Sequence, residues 1–551
     1  MRGAAVVPWG GEVEMVGWLK RCGLFGAVVA LVVGLGPALA GAVASTVSIP
    51  GVKAIPIAAK PKHGGSMTVL LGSGLAGSWT NLNSVGNPEI FNGGFYDAIY
   101  GTLFGQLYNG KIVPQLATGY KYSDGGRTFT ITLRKGVTFS DGTPFNSAAV
   151  LENWKLDITP GSVDAASYPI ASMSAPGPYT LVMNLTHPDG AILDAFPDSS
   201  PNWIASPTHL ASLKSPTATD LLPVGAGPFK VVSDTPNVQV TMARNPSYWD
   251  QPYPYLNKIV FKSVANDSSA LAAIQTGEAQ VYGGYGEYQN VRSIVNSVDV
   301  YGGARVGTNA EDLQFNMQAA PFNNIAAREA IAYATNPEAI NKALYASTAT
   351  LTESPLGPGS PFWEQKVPGY RAYNLKKAKA LVKQLGGSLN VTLLSLNDLV
   401  TQETDEALQS QWAQAGIHTT IEAKDQGTYI QNVLGGKWQT EIADPGSYDP
   451  AVGFGMAFDF GSKGILSGVR DAHLDALIEQ ASEPLDQKTR IADYDAIYKY
   501  ISDNEYGVML YIPTGFTLTA KNVTFSTQKL GLFAPPLQSY YETLAYTNSK
   551  T

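Results

Sequence analysis

Residues 113–155, VPQLATGYKYSDGGRTFTITLRKGVTFSDGTPFNSAAVLENWK, leave the backbone few choices. Tyr120 and Tyr122 lead into the turn Ser123-Asp124-Gly125-Gly126, after which Phe129, Ile131 and Leu133 alternate with Thr128, Thr130, Thr132 and Arg134. Apolar and polar residues at period two around a Gly-rich turn predict a half-buried hairpin. A second turn, Ser140-Asp141-Gly142, leads to Pro144, and Asn146 or Ser147 can cap a helix whose apolar stripe is Val150, Leu151 and Trp154. The stretch predicts a strand-turn-strand-turn-helix unit and carries no catalytic group.

At 551 residues the chain exceeds one ordinary domain, and two or three lobes with large cores are expected. Aromatics at 10%, with Gly 56 and Pro 35, suit a loop-rich globular protein and not a disordered one. The formal charge is -8 and no run of Lys and Arg forms a basic stripe, which excludes nucleic acid as an expected partner.

Lys20 and Arg21 precede an apolar run from Gly23 to Leu35, followed by Ala38-Leu39-Ala40 and Ala42-Val43-Ala44. This order predicts a secretory signal over 1–44, cleaved after Ala40 or Ala44, with Met15 as an alternative start. The run is short for a membrane span. Cys22, the single cysteine, lies before the apolar run and not directly after it, so lipid anchoring through it is not supported. The processed chain is then free of thiols, which excludes disulfides, zinc-thiolate sites and cysteine nucleophiles.

Residues 45–65, with Pro50, Pro56, Pro61 and Gly64-Gly65, are expected to form a flexible leader. Residues 66–73 predict a buried strand, residues 95–107 a helix, and Tyr179 to Leu185 an alternating strand. Gly225 and Gly227 permit turn geometry before a further strand. Val281 to Tyr288 (VYGGYGEY) is expected to be a flexible aromatic loop, whose tyrosines either bind ligand or pack on a neighbouring surface. Asn336-Pro337 and Asn374 predict helix starts, and Gly386-Gly387 a helix end. Between 389 and 421 a strand-helix-strand order predicts an open sheet with covering helices.

The chain holds no G-x-S-x-G elbow, no H-E-x-x-H, no P-loop and no G-x-G-x-x-G between a strand and a helix. Its five histidines, His63, His187, His209, His418 and His473, have no i+3 or i+4 pairing, so each is expected to be structural or solvated, and no metal or cofactor is expected. A glycosidase's two carboxylates are paired in space and not in sequence, so a secreted hydrolase stays open as an alternative.

Three spellings carry a family resemblance: DGGRTFTITLRKGVTFSDGTP at 124–144, VGAGPFK with RNPSYW across 224–249, and NLKKAKALVKQLGG at 374–387. Together they resemble the extracellular solute-binding proteins of the oligopeptide, dipeptide and nickel importer class. The resemblance implies an α/β, two-lobed periplasmic-binding-protein-like (class II) fold with an extra subdomain in the first lobe. The expected division is 66–310 for lobe I with the subdomain at about 106–219, 311–510 for lobe II, and 511–551 returning to lobe I. It further implies a non-catalytic monomer that captures a short peptide or small polar solute and delivers it to an ABC permease in the membrane. A module that presents ligand to a membrane receptor is the other reading.

The segment Ala443-Asp444-Pro445-Gly446-Ser447-Tyr448-Asp449-Pro450 is similar to one whose first Asp, in peptide-binding relatives, accepts hydrogen bonds from the ligand's ammonium group. Asp444 is the first candidate and Asp449 the second; as turn residues capping local backbone they would have no such role. Glu441 stands where the family has Trp, and Gln280 where it has Asp. No His lies near this segment, which disfavours nickel. The resemblance also places the loop holding Trp79 beside the cleft. Trp79, Tyr282, Tyr285, Tyr288 and Trp363 complete the expected ligand-binding set.

Overall fold

The structure is a computed structural model that describes residues 51–52, 63–71, 93–106, 111–158, 168–197, 199–213, 222–235, 238–286, 290–304, 310–358, 360–397, 399–443, 451, 460–462, 467–521, 523–525 and 546–548. In the hairpin, strands Ala117–Ser123 and Thr128–Leu133 pair antiparallel, with Tyr122 opposite Phe129 and Tyr120 opposite Ile131. Asp124, Gly125 and Gly126 all take positive φ, at 52°, 62° and 95°, a turn that two glycines make cheap. Thr128–Leu133 also pairs with Thr180–Leu185, whose far side takes Ile170–Gly177, so the hairpin belongs to a four-stranded sheet.

The inner face of that sheet builds the subdomain core. Phe129, Ile131 and Leu133 pack with Phe139, Phe145, Trp154, Tyr168 and Phe196. Helix Ser147–Asp157 closes the core, started by Asn146, whose side chain accepts from the amides of Ala148 and Ala149. Trp154 brings its polar atom inside with a partner: Nε1 donates to the Pro201 carbonyl at 2.8 Å.

Two larger sheets organise the rest. The first runs Asp299–Ala304, Thr514–Thr519, Val281–Tyr285, Ser66–Leu71, Lys258–Ser263, Gln239–Arg244, Phe229–Thr235. The second runs Thr350–Leu351, Gly507–Ile512, Glu311–Phe315, Thr440–Ala443, Leu389–Leu396, Ile417–Lys424. The chain passes from the first to the second between Ala304 and Glu311 and returns between Ile512 and Thr514. Tyr511 and Ile512, expected in the returning segment, still belong to the second sheet, because they pair with Leu351 and Thr350.

Local chemistry explains two departures from expectation. The helix expected over 95–107 covers only Gly93–Tyr100: Gly101 turns to φ 65°, and Phe104–Gln106 forms a strand with Ile112–Pro114. Gly225 and Gly227 are absent from the positive-φ glycines, so turn geometry is not their purpose. A Cβ at Gly225 would lie 2.3 Å from the Ile99 carbonyl oxygen, and one at Gly227 would lie 2.6 Å from that of Ala98. These glycines let the chain run against the end of helix Gly93–Tyr100, where Gly227 N donates to Ile99 O at 2.9 Å.

The RNPSYW cluster ties this region together. Arg244 Nε donates to Leu256 O at 3.1 Å, Asn245 Nδ2 donates to Gly227 O at 2.8 Å, and the Arg134 guanidinium lies 3.8 Å above the Trp249 ring.

Candidate functional site

Strand direction locates the site. In the first sheet Ser66–Leu71 runs parallel to Lys258–Ser263 and to Val281–Tyr285. Asp299–Ala304 has the same direction, since it and Val281–Tyr285 both lie antiparallel to Thr514–Thr519. In the second sheet Leu389–Leu396 runs parallel to Ile417–Lys424 and Thr440–Ala443. Glu311–Phe315 opposes that direction and starts with Asp312 beside Ala443.

It follows that the outgoing chain leaves the first sheet at its carboxyl edge and enters the second beside that sheet's carboxyl edge. The return does the same in reverse: Ile512 ends a strand at the second sheet's carboxyl edge, and Thr514 enters the first sheet opposite Ala304. Two crossings thus join carboxyl edge to carboxyl edge, the side on which open α/β sheets bind ligand.

Three candidate residues follow these edges in sequence. Trp79 lies in the segment after Ser66–Leu71, Tyr288 lies three residues past Tyr285, and Asp444 directly follows Ala443. Trp79, Tyr288, Asp444 and Asp449 themselves lie outside the described residues.

Tyr282 and Tyr285 require a correction. The expected loop is a strand as far as Tyr285, paired on both sides, and the Gly283-Gly284 pair that suggested a turn marks a register shift inside it. The shift turns both rings into one core with Ile274, Val291, Phe516 and Leu518, leaving Tyr282 3% and Tyr285 1% exposed. Packing, and not ligand contact, occupies them here. Tyr282 Oη donates to Asp267 Oδ1 at 2.6 Å, while Asp267 Oδ2 accepts from Gly286 N at 2.6 Å. One carboxylate therefore holds the strand and the first residue of the chain that leaves it.

Trp363 lies in the second lobe, half-buried, with Nε1 donating to Thr352 Oγ1 at 3.2 Å. Tyr282 and Tyr285, of the same expected set, belong to the first lobe's core.

Residue pattern alone did not point to the polar face of the second sheet. Gln314 and Glu441 are cross-strand partners, both buried, next to Asp312. Tyr429, on helix Gln426–Leu434, donates to Glu441 Oε2 at 2.5 Å. Burial pushes the Glu441 carboxyl up to about 7, against the pull of that hydrogen bond. Burial and the charges of Glu441, Asp405 and Asp312 hold the Tyr429 phenol well above its usual range. The sequence signal was slight: a glutamate in the short strand Thr440–Ala443, at the position where the family resemblance implies Trp. No group of three or more potential metal ligands occurs among the described residues.

The model of the bacterial extracellular solute-binding proteins, family 5, matches residues 111–464, more than half of the chain. The chain belongs to this family. It is a bacterial extracellular solute-binding protein. The glutathione-binding protein GsiB of Salmonella typhimurium is 29% identical over 380 residues, covering 65% of this chain and 70% of GsiB; the Escherichia coli K12 protein is 28% identical over the same length. Helicobacter pylori DppA, solved with the peptide STSA, superimposes with a TM-score of 0.75 at 23% identity, over 89% of this chain and 99% of DppA. Bacillus subtilis AppA, solved with a nonapeptide, gives 0.75 at 19%, over 89% of this chain and all of AppA, 100%. These likenesses establish the two-lobed fold.

Proposed function

We propose that the chain captures a short peptide or another small polar solute between its two carboxyl edges and hands it, unchanged, to a membrane permease. The carrying observation is the pair of edge-to-edge crossings, which leaves two lobes free to rotate about two short connections. A solute held by both lobes favours closure by its differential affinity for the closed state. Extended peptides in such a setting gain most from main-chain hydrogen bonds, in the manner of strand addition. Asp444, directly after Ala443, is suited to an ammonium group at one end of the solute, with Asp449 as second candidate. GsiB, DppA and AppA, as named, take glutathione and peptides, and support this solute class.

The protein is proposed to act outside the cytoplasm as a monomer, after removal of 1–44. No helix among the described residues is long and apolar enough to cross a membrane. Native mass spectrometry of the purified protein tests the reading, followed by thermal unfolding across a peptide library. A retained or added peptide that raises Tm and is recovered intact supports it. A library with no stabilising member, or a peptide recovered cleaved, overturns it.

A further inference from the structure

The two lobes also touch away from the crossings. Pro188 to Gly190 follow the strand Thr180–Leu185 of the small sheet, while Ser482 to Leu485 form the turn between the second lobe's helices Ala472–Ser482 and Gln487–Asn504. Gly190 N donates to Ser482 O at 2.9 Å. The backbones approach so closely that a Cβ at Gly190 would lie 1.9 Å from the Pro484 carbonyl oxygen and 3.3 Å from Arg490 Cδ. Beside it, a Cβ at Gly126, in the hairpin turn, would lie 3.5 Å from Leu485 Cδ2.

Three further observations widen the contact. Ala451 packs against both the subdomain core and the core beneath helix Gln487–Asn504. Asp189 is buried at the seam, its Oδ1 accepting from Ala191 N at 2.7 Å. Arg490 is buried on the other side, its guanidinium 4.9 Å from the Phe362 ring, and its charge reaches Tyr122 of the hairpin together with those of Asp189 and Asp194.

A lobe that rotates about the crossings displaces every atom off that axis. A backbone hydrogen bond between the lobes therefore survives only over a narrow range of angles. We propose that the Gly190–Ser482 contact, with Gly126 and Leu485 beside it, is a latch, through which the extra subdomain holds the two lobes at the angle seen here without touching the solute. It gives the subdomain a part in affinity, because apparent affinity falls with the fraction of molecules able to close. The proposal rests on the reading of the chain as a hinged two-lobed binder.

Small-angle X-ray scattering of the full chain without added solute tests it. Gly190→Ala, which drives a methyl group into Pro484, is expected to raise the radius of gyration above that of the wild type. Leu485→Ala is expected to do so to a smaller extent, and since Leu485 is 51% exposed its truncation leaves the fold intact, which decides the matter should Gly190→Ala fail to fold. Ser482→Ala retains the accepting carbonyl and is expected to scatter like the wild type. Unchanged scattering in both Gly190→Ala and Leu485→Ala, or opening by Ser482→Ala as large as theirs, overturns the latch. Because no peptide is added, failure of the peptide reading leaves this outcome readable on its own.

Discussion

The four-stranded sheet of the subdomain and the six-stranded sheet of the second lobe cover their faces in opposite ways. The small sheet turns Phe129, Ile131 and Leu133 onto a cluster of rings, with Phe196 at 5.2 Å from Phe104 and 5.5 Å from Tyr168. The polar face of the second sheet sets Gln314 against Glu441, both buried, with Asp312 alongside. Buried rings stabilise in proportion to the apolar area removed from water, whatever the pH. A buried carboxyl costs free energy in its ionised form and so binds its proton more tightly when folded. The first region contributes stability; the second gives some up, and it does so in the strand that leads directly into Asp444.

The largest expected effect is in the apolar region. Trp154→Ala removes a fully buried indole and its bond to Pro201 O, and is expected to cost about 3–5 kcal/mol by urea unfolding, equally at acid and neutral pH. A loss that varied with pH would break the contrast.

Glu441 sharpens the contrast from the other side. Its folded pKa of about 7 stands above the ordinary 4.5, so between these values the folded protein holds a proton that the unfolded chain has released. The stabilising contribution is complete below about pH 4.5 and is lost as pH rises to about 7, a change of about 3 kcal/mol. Glu441→Gln keeps an acceptor for Tyr429 and abolishes the titration. Relative to the wild type it is expected to gain stability steadily over that window in denaturant unfolding at stepped pH. Parallel curves for the two proteins would remove the distinction between the regions.

Smaller effects test the supports of the subdomain. Gly225→Ala places a methyl group 2.3 Å from Ile99 O and is expected to cost about 1–3 kcal/mol in thermal unfolding, through displacement of the helix end. Asn146→Ala leaves the Ala148 and Ala149 amides without their cap and is expected to cost about 1 kcal/mol, read in the same way.

What was legible from residues alone follows from range. The hairpin, the Asn146, Asn336 and Asn374 caps, and the end of helix Leu375–Gln384 before Gly386-Gly387 depend on contacts within a few residues, and each forms as the local pattern predicts. The errors arose where distant chain decides. Gly225 and Gly227 are small because residues more than a hundred positions away pass over them. Val281–Tyr285 is a strand because Ser66–Leu71 and Thr514–Thr519 flank it, and the bulge between those flanks sends Tyr282 and Tyr285 inward. The candidates Trp79, Tyr288 and Asp444 rest on the family resemblance and on residue type, and strand register adds only that they follow the carboxyl edges in sequence.

By itself, the amino-acid order determined the lineage and the local units, because turns, caps and alternating faces are written within short windows. Tertiary structure alone decided that the two sheets are joined at their carboxyl edges, that Glu441 lies buried against Gln314 and Tyr429, and that Gly190 meets Ser482. Each of these joins residues far apart in the chain, and only the folded register brings their atoms within reach.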